Sequence, residues 1–234
     1  MSRPGFGPLA GAALTLAVVL TPVVASAHGV AHGDAQYLQT LKGAAVGPLM
    51  YLGAKHMVTG YDHLLFLVGV IFFLYRLTDV VQYVSLFTLG HSVTLLSGVL
   101  GGIHANPYII DAVIGLSVVY KAFDNLGGFQ RLLGWQPNTR AAVLVFGLFH
   151  GFGLATKLQE FTLPPASLVT NIVSFNVGVE IGQMLALTAV LVALSYWRHR
   201  PGFLRHAFMT NTLLMTGGFI LVGFQVSGYL IASR

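Results

Sequence analysis

Nine histidines, seven carboxylates and no cysteine are distributed along 234 residues that are otherwise strongly apolar. The groups able to do chemistry fall into a few short blocks. The first is His56-Met57-Val58-Thr59-Gly60-Tyr61-Asp62-His63, with an acid directly beside an imidazole. The second is Phe87-Thr88-Leu89-Gly90-His91-Ser92-Val93-Thr94-Leu95, the third Phe146-Gly147-Leu148-Phe149-His150-Gly151-Phe152-Gly153, and the fourth runs from Phe175 to Gln183 with Glu180 inside it. Neutral imidazole nitrogen combined with carboxylate and amide oxygen suits divalent nickel, cobalt, zinc or iron, whereas a Cu(I) path leans on Met and Cys. The lack of cysteine excludes disulfides, thiolate metal sites and a cysteine nucleophile. His56, Asp62, His63, His91, His150 and Glu180 are therefore the candidate metal ligands, with Asp62 also placed to orient an imidazole from behind.

The elements that carry these groups are membrane helices. Only 8% of the residues are charged and 55% are hydrophobic, against about 25% charged in ordinary soluble domains. The apolar residues come in long blocks with short polar connections, which predicts an all-α polytopic transmembrane bundle. Spans are expected near 58–75, 80–102, 107–126, 141–157, 166–196 and 208–231, about six in all. The stretch 36–56 is less apolar and carries Lys42 and Lys55, so it is expected to form an interfacial helix. Pro164 and Pro165 suit the first turn of the fifth span.

An ionisable group at membrane depth costs about 2.5–3.5 kcal/mol on insertion scales, so each one needs a partner or a task. A single histidine there is as often a hydrogen-bond partner between helices as a ligand. Asp124 near Lys121 reads as an interfacial ion pair, while Glu180 has no Lys or Arg within a helical turn. On an unbroken helix His56 and His63 share a face two turns apart, and Asn176, Glu180 and Gln183 form one stripe. Glycines cluster beside these motifs, where they allow helices to approach closely or to unwind.

Arg3, the apolar run Leu9–Leu20 and the triplet Ala25-Ser26-Ala27 predict a signal peptide over residues 1–27, removed to leave His28 first. Residues 28–57 then form a periplasmic N-terminal segment in which His28 and His32 can gather metal, followed by a transmembrane domain over 58–231. With the mature N-terminus outside, seven inner charges (Arg76, Lys121, Arg131, Arg140, Arg198, Arg200, Arg205) face four outer ones (Lys42, Lys55, Lys157, Arg234), as the positive-inside bias requires. The net charge of +5 is topogenic, since no basic run is interleaved with aromatics, and nucleic acid is not an expected partner.

At these motifs the chain resembles the HupE/UreJ family of membrane proteins, regarded as nickel permeases associated with hydrogenase and urease maturation. His56, Asp62 and His63 fit that family's H-x5-D-H signature, and FTLGHSVTL, FGLFHGFGLA and FNVGVEIGQ resemble its other polar blocks over roughly residues 45–185. One block departs from the pattern: Phe149-His150-Gly151 begins an FHG-x-[AV]-HG-x-E motif, but Gly153-Leu154-Ala155 follows, without the second histidine or the acid. The resemblance implies a permease in the bacterial inner membrane for a divalent metal ion, nickel first, with cobalt, zinc or copper as alternatives.

The expected partners are membrane lipid, the transported ion and, as an option, further copies of the chain in a homo-oligomer. In that reading His56, Asp62 and His63 receive the ion and His91, His150 and Glu180 relay it. No GxxxxGK[ST] segment is present, so the chain is not expected to pump by itself or to act as an enzyme. Two other readings use the same residues. One is an intramembrane metalloenzyme in which His63, His91 and His150 hold a metal and Glu180 serves as base; the other is a metal sensor or accessory subunit that transports nothing.

Overall fold

The computed structural model describes residues 43–159 and 164–233, and within them the chain is all helical. Helices α1 (Val46–Thr59) and α2 (Tyr61–Ile71) are followed by α3 (Leu77–Leu100), α4 (Pro107–Asn125), the short α5 (Gly128–Leu133), α6 (Thr139–Gln159), α7 (Leu168–Arg198) and α8 (Phe203–Ala232). Four of the segments, Leu77–Leu100, Thr139–Gln159, Pro165–Arg198 and Phe203–Ala232, are long and apolar enough to cross a membrane. Exposed Leu89, Val93, Met184, Leu185, Val192, Phe219 and Ile220 on their outer faces make lipid the surrounding solvent. The signal peptide expected over residues 1–27, and His28 and His32, lie outside the described residues.

Local chemistry sets the ends of several helices. Asn106 caps α4 by accepting from Tyr108 N (3.0 Å) and Ile109 N (3.3 Å), with Pro107 in the first turn. Asn138 does the same for α6. Gly202, at φ +92°, turns the chain between α7 and α8 in a conformation that side chains rarely adopt. Arg198 caps α2 from another helix: its guanidinium donates to the carbonyls of Ile71, Phe72 and Leu74 and lies over the Tyr75 ring.

Three helix pairs form the bundle. The first pair runs parallel: Asn171 of α7 binds Ala45 N and Gly43 O at one end, Gly178 meets Met50, Gly182 meets Ala54, and Arg198 meets Ile71 at the other end. Thus α1 and α2 together follow α7 along its length. Residues 46–59 are instead packed into the bundle where an interfacial helix was expected, because Leu49, Leu52, Gly53 and Met57 present a continuous face to α7. Helices α3 and α6 are also parallel, with Gly90, Gly147 and Gly151 at their contact and Thr94 Oγ1 donating to Leu148 O. Helices α4 and α8 are antiparallel, Tyr108 meeting Gly228 and Asn125 bonding Asn211.

These contacts repeat. A Cβ at Gly53 would overlap the carbonyl of Phe175, and one at Gly147 would overlap the carbonyl of Phe87. Likewise Gly178 abuts the carbonyl of Met50, three residues before Gly53, and Gly90 abuts that of Leu144, three residues before Gly147. In the third pair Gly115 faces Val222 N and Gly218 faces Val119 N. Superposing α1 on α6, α3 on α7 and α4 on α8 therefore maps every one of these contacts onto its counterpart. The chain is an inverted repeat, residues 43–125 and 139–232, about a pseudo-two-fold axis across the bundle.

Candidate metal centre

The two ends of the bundle are named here by Ala45 and Arg198, and the polar motifs meet between them. The H-x5-D-H segment is broken in its middle: α1 ends at Thr59, Gly60 adopts extended angles (φ −71°, ψ 100°), and α2 begins at Tyr61. Seven residues of unbroken helix would separate His56 from His63 by roughly 10 Å along the axis. With the break, their ring centroids are 5.3 Å apart. Any residue can adopt the angles of Gly60, so the reason for glycine is space: a Cβ there would stand 3.0 Å from His63 Nδ1 and 3.3 Å from Asp62 Oδ1.

His63 is the hub. Its ring lies 4.9 Å from that of His150 on α6 and 6.3 Å from that of His91 on α3. Asp62, His63, His91 and His150 are each at most 2% exposed. With metal–nitrogen bonds of about 2.0–2.1 Å, two imidazoles on one ion hold their ring centroids roughly 4.5–6.5 Å apart for ligand angles from about 90° to 180°. The observed separations fall in that range. No three His, Asp or Glu side chains among the described residues stand in a ligating arrangement as they are placed.

Hydrogen bonds bias two of the rings toward ligation. His150 Nδ1 is 2.8 Å from Phe146 O, and since a carbonyl only accepts, Nδ1 carries the proton and Nε2 keeps its lone pair. His63 Nδ1 faces Asp62 Oδ1 at 3.2 Å, a carboxylate–imidazole pair that favours the same tautomer. His91 Nε2 is buried with no hydrogen-bond partner among the described residues. Beside it, Asn176 Nδ2 donates to Ser92 Oγ (3.0 Å) and Glu180 Oε1 (3.2 Å). Glu180, partly exposed, is thus tied through Asn176 to Ser92, the neighbour of His91 in α3.

Apolar clusters close the centre on two sides. Toward Arg198, Phe66, Phe87 and Phe146 form a floor, each one helical turn from a histidine, with Phe87 4.9 Å and Phe66 5.3 Å from His150. A narrow cavity passes from His63 and Gln183 between Met57, Phe66 and Phe87 to Val70 and Val143. Toward Ala45, Leu49, Leu52, Leu95, Leu158 and Ile172 pack tightly between α1, α3, α6 and α7. The three phenylalanines were not singled out from the sequence; their signal is the spacing of three or four residues from His63, His91 and His150.

Lys121 pairs with Asp124 as expected, at 2.5 Å, and Gln136 adds a second donor to that acid. His104 is exposed, bonded to Gly102 O at 2.8 Å, and stands apart from the buried imidazoles.

Comparison with curated proteins and with solved structures finds no match. A family model described as HupE / UreJ protein matches residues 17–233, nearly the whole chain, including every helix described above. By that match the chain belongs to the HupE / UreJ family, a family of membrane proteins related to metal transport.

Proposed function

We propose that the chain is a permease for a divalent transition metal, nickel before cobalt, zinc or copper, that passes the ion through the buried imidazoles. One observation carries this reading: the rings of His56, His91 and His150, from α1, α3 and α6, lie within 4.9–6.3 Å of the His63 ring on α2, with a carboxylate on that hub, at the middle of an apolar bundle. Four partly or wholly desolvated imidazoles with one carboxylate are costly to bury, and metal passage repays that cost.

In this reading α1 and α2 together form one discontinuous span, so that with α3, α4, α6, α7 and α8 the chain crosses the membrane six times. The Ala45 end faces outward in the bacterial inner membrane, following removal of residues 1–27, and Arg76, Arg140 and Arg205 lie inside. His28 and His32 gather metal; His56, Asp62 and His63 take it up; His91 and His150 complete its shell, with Glu180 reaching it by way of Asn176. The phenylalanine floor must part for the ion to leave toward Arg198.

The test is uptake by proteoliposomes of purified protein, with Ni²⁺, Co²⁺, Zn²⁺ and Cu²⁺ in competition. Saturable uptake with Ni²⁺ preferred supports the reading. Binding without uptake would defeat it in favour of a sensor.

A further inference from the structure

A second polar group lies between the imidazoles and the Ala45 end, on the α4 side of the bundle. Asp111 of α4 is 5% exposed, within 3.9 Å of Lys157 Nζ on α6 and 3.3 Å of Gln225 Nε2 on α8. It stands opposite Gly153, where a Cβ would lie 3.6 Å from its Oδ1. Gly153 is three residues past His150, so the acid is displaced from the imidazoles by roughly 4.5 Å along α6. Tyr61, next to Asp62, lies within electrostatic reach of both Asp62 and Asp111. Lys157, Asp111 and Tyr61 are thus the polar groups nearest the hub on this side.

The ion pair has the form of a latch. At 3.9 Å it is at the limit of an ion pair, while the Lys157 side chain is 20% exposed against 4% for Asp111. The ammonium is therefore the member able to withdraw toward water on its flexible stem, leaving the carboxylate in place. The space among α1, α3, α6 and α7 toward the Ala45 end is filled by Leu49, Leu95 and Ile172, whereas the α4 side carries Asp111, Lys157 and Gln225.

We infer that Asp111 is a carboxylate an incoming divalent cation meets before the imidazoles, and that Lys157 is a tethered cation which holds that carboxylate until the ion displaces it. The assignment rests on the transport reading above and adds to it an admission step set by competition between Lys157 and the ion. A divalent cation wins by charge: it gains twice the Coulomb attraction of an ammonium at equal distance. A monovalent ion gains no such advantage, so the latch also selects for valence.

The experiment measures initial Ni²⁺ uptake against Ni²⁺ concentration in proteoliposomes, together with the Kd for Ni²⁺ of the solubilised protein by calorimetry. Lys157→Gln is expected to lower KM and Kd at least threefold, Asp111→Asn to raise them about tenfold, and both to leave the maximal rate within twofold. Lys157→Arg keeps the charge and should match the wild type. In the Asp111→Asn background, Lys157→Gln should add nothing, because the competition has lost its object.

Unchanged KM and Kd in Lys157→Gln overturn the inference, as does a rise in KM matching that of Asp111→Asn, which is the result for two groups that merely brace α4 against α6. If Asp111→Asn does not fold, the Lys157→Gln and Lys157→Arg pair still decides. If the wild type takes up no Ni²⁺, the transport reading fails, and the Kd shifts alone then support or overturn the latch.

Discussion

Residues 43–125 and 139–232 share one scaffold and differ in what it holds. Gly53 and Gly147 play the same part in their halves, as do Gly178 and Gly90, and His56 and His150 follow those first two glycines at the same interval of three residues. Beyond the histidine the halves diverge. In the first, the helix breaks at Gly60 and delivers Asp62 and His63 to the centre; in the second, α6 continues unbroken through Leu154 and Ala155, and Thr156 and Lys157 occupy the positions of Asp62 and His63. What both halves keep is backbone-to-backbone packing. What one half alone has is the hub of the imidazole cluster, placed where the repeat is broken.

The sharpest test of that contrast is His63→Ala, which should reduce Ni²⁺ uptake in proteoliposomes by about a hundredfold or to background, since it removes the ring that the other three approach. Its counterpart variant, Lys157→Gln, should keep the maximal rate. Equal losses in the two would erase the distinction between the halves.

Next in size is Asp62→Asn, expected to cut uptake about tenfold with an unchanged thermal transition, because the amide preserves shape and hydrogen bonding while removing the anion that holds the His63 tautomer. Thr156→Val at the matching place should change uptake less than twofold. Gly60→Ala should cost several-fold in uptake by crowding His63 Nδ1 and Asp62 Oδ1.

The shared scaffold predicts the opposite symmetry. Gly53→Ala and Gly147→Ala should each destabilise the solubilised protein by about 1–3 kcal/mol, since both place a methyl against a carbonyl of the neighbouring helix. Unequal melting shifts would mean that the two contacts are not equivalent. The smallest expected effect is that of His104→Ala, less than twofold in uptake, because this imidazole is exposed and bonded to its own turn.

Much of the bundle was legible in the residues themselves. Apolar block length placed helices at 77–100, 107–125, 139–159, 168–198 and 203–232 within a few residues of expectation, because a membrane helix satisfies its own backbone and needs no partner to be recognised. The burial of Asp62, His63, His91 and His150 was also foreseeable from the cost of such groups in lipid. The break at Gly60 was left open, since a glycine there allows close approach as well as unwinding and Met57-Val58-Thr59-Gly60-Tyr61 has no proline to decide between them. The pairing of helices was hidden for a different reason: Leu and Val facing lipid look like Leu and Val facing protein, and the repeat survives only in a few glycines and one histidine per half. Asp111 falls within the third expected span with no Lys or Arg within a helical turn, so its neighbours in sequence name no partner; the approach of Lys157 and Gln225 from two other helices marks it out.

The contact between α4 and α8 differs from the other two in mapping onto itself, Gly115 against Val222 and Gly218 against Val119. A contact of that kind is isologous, the geometry by which a patch recognises its own copy. A three-helix chain bearing it would assemble as an antiparallel dimer once inserted in both orientations, and each substitution improving the seam would count twice. Fusion into one polypeptide lifts that constraint: the two copies are free to accumulate different residues, and a lysine can stand on one side where a histidine stands on the other.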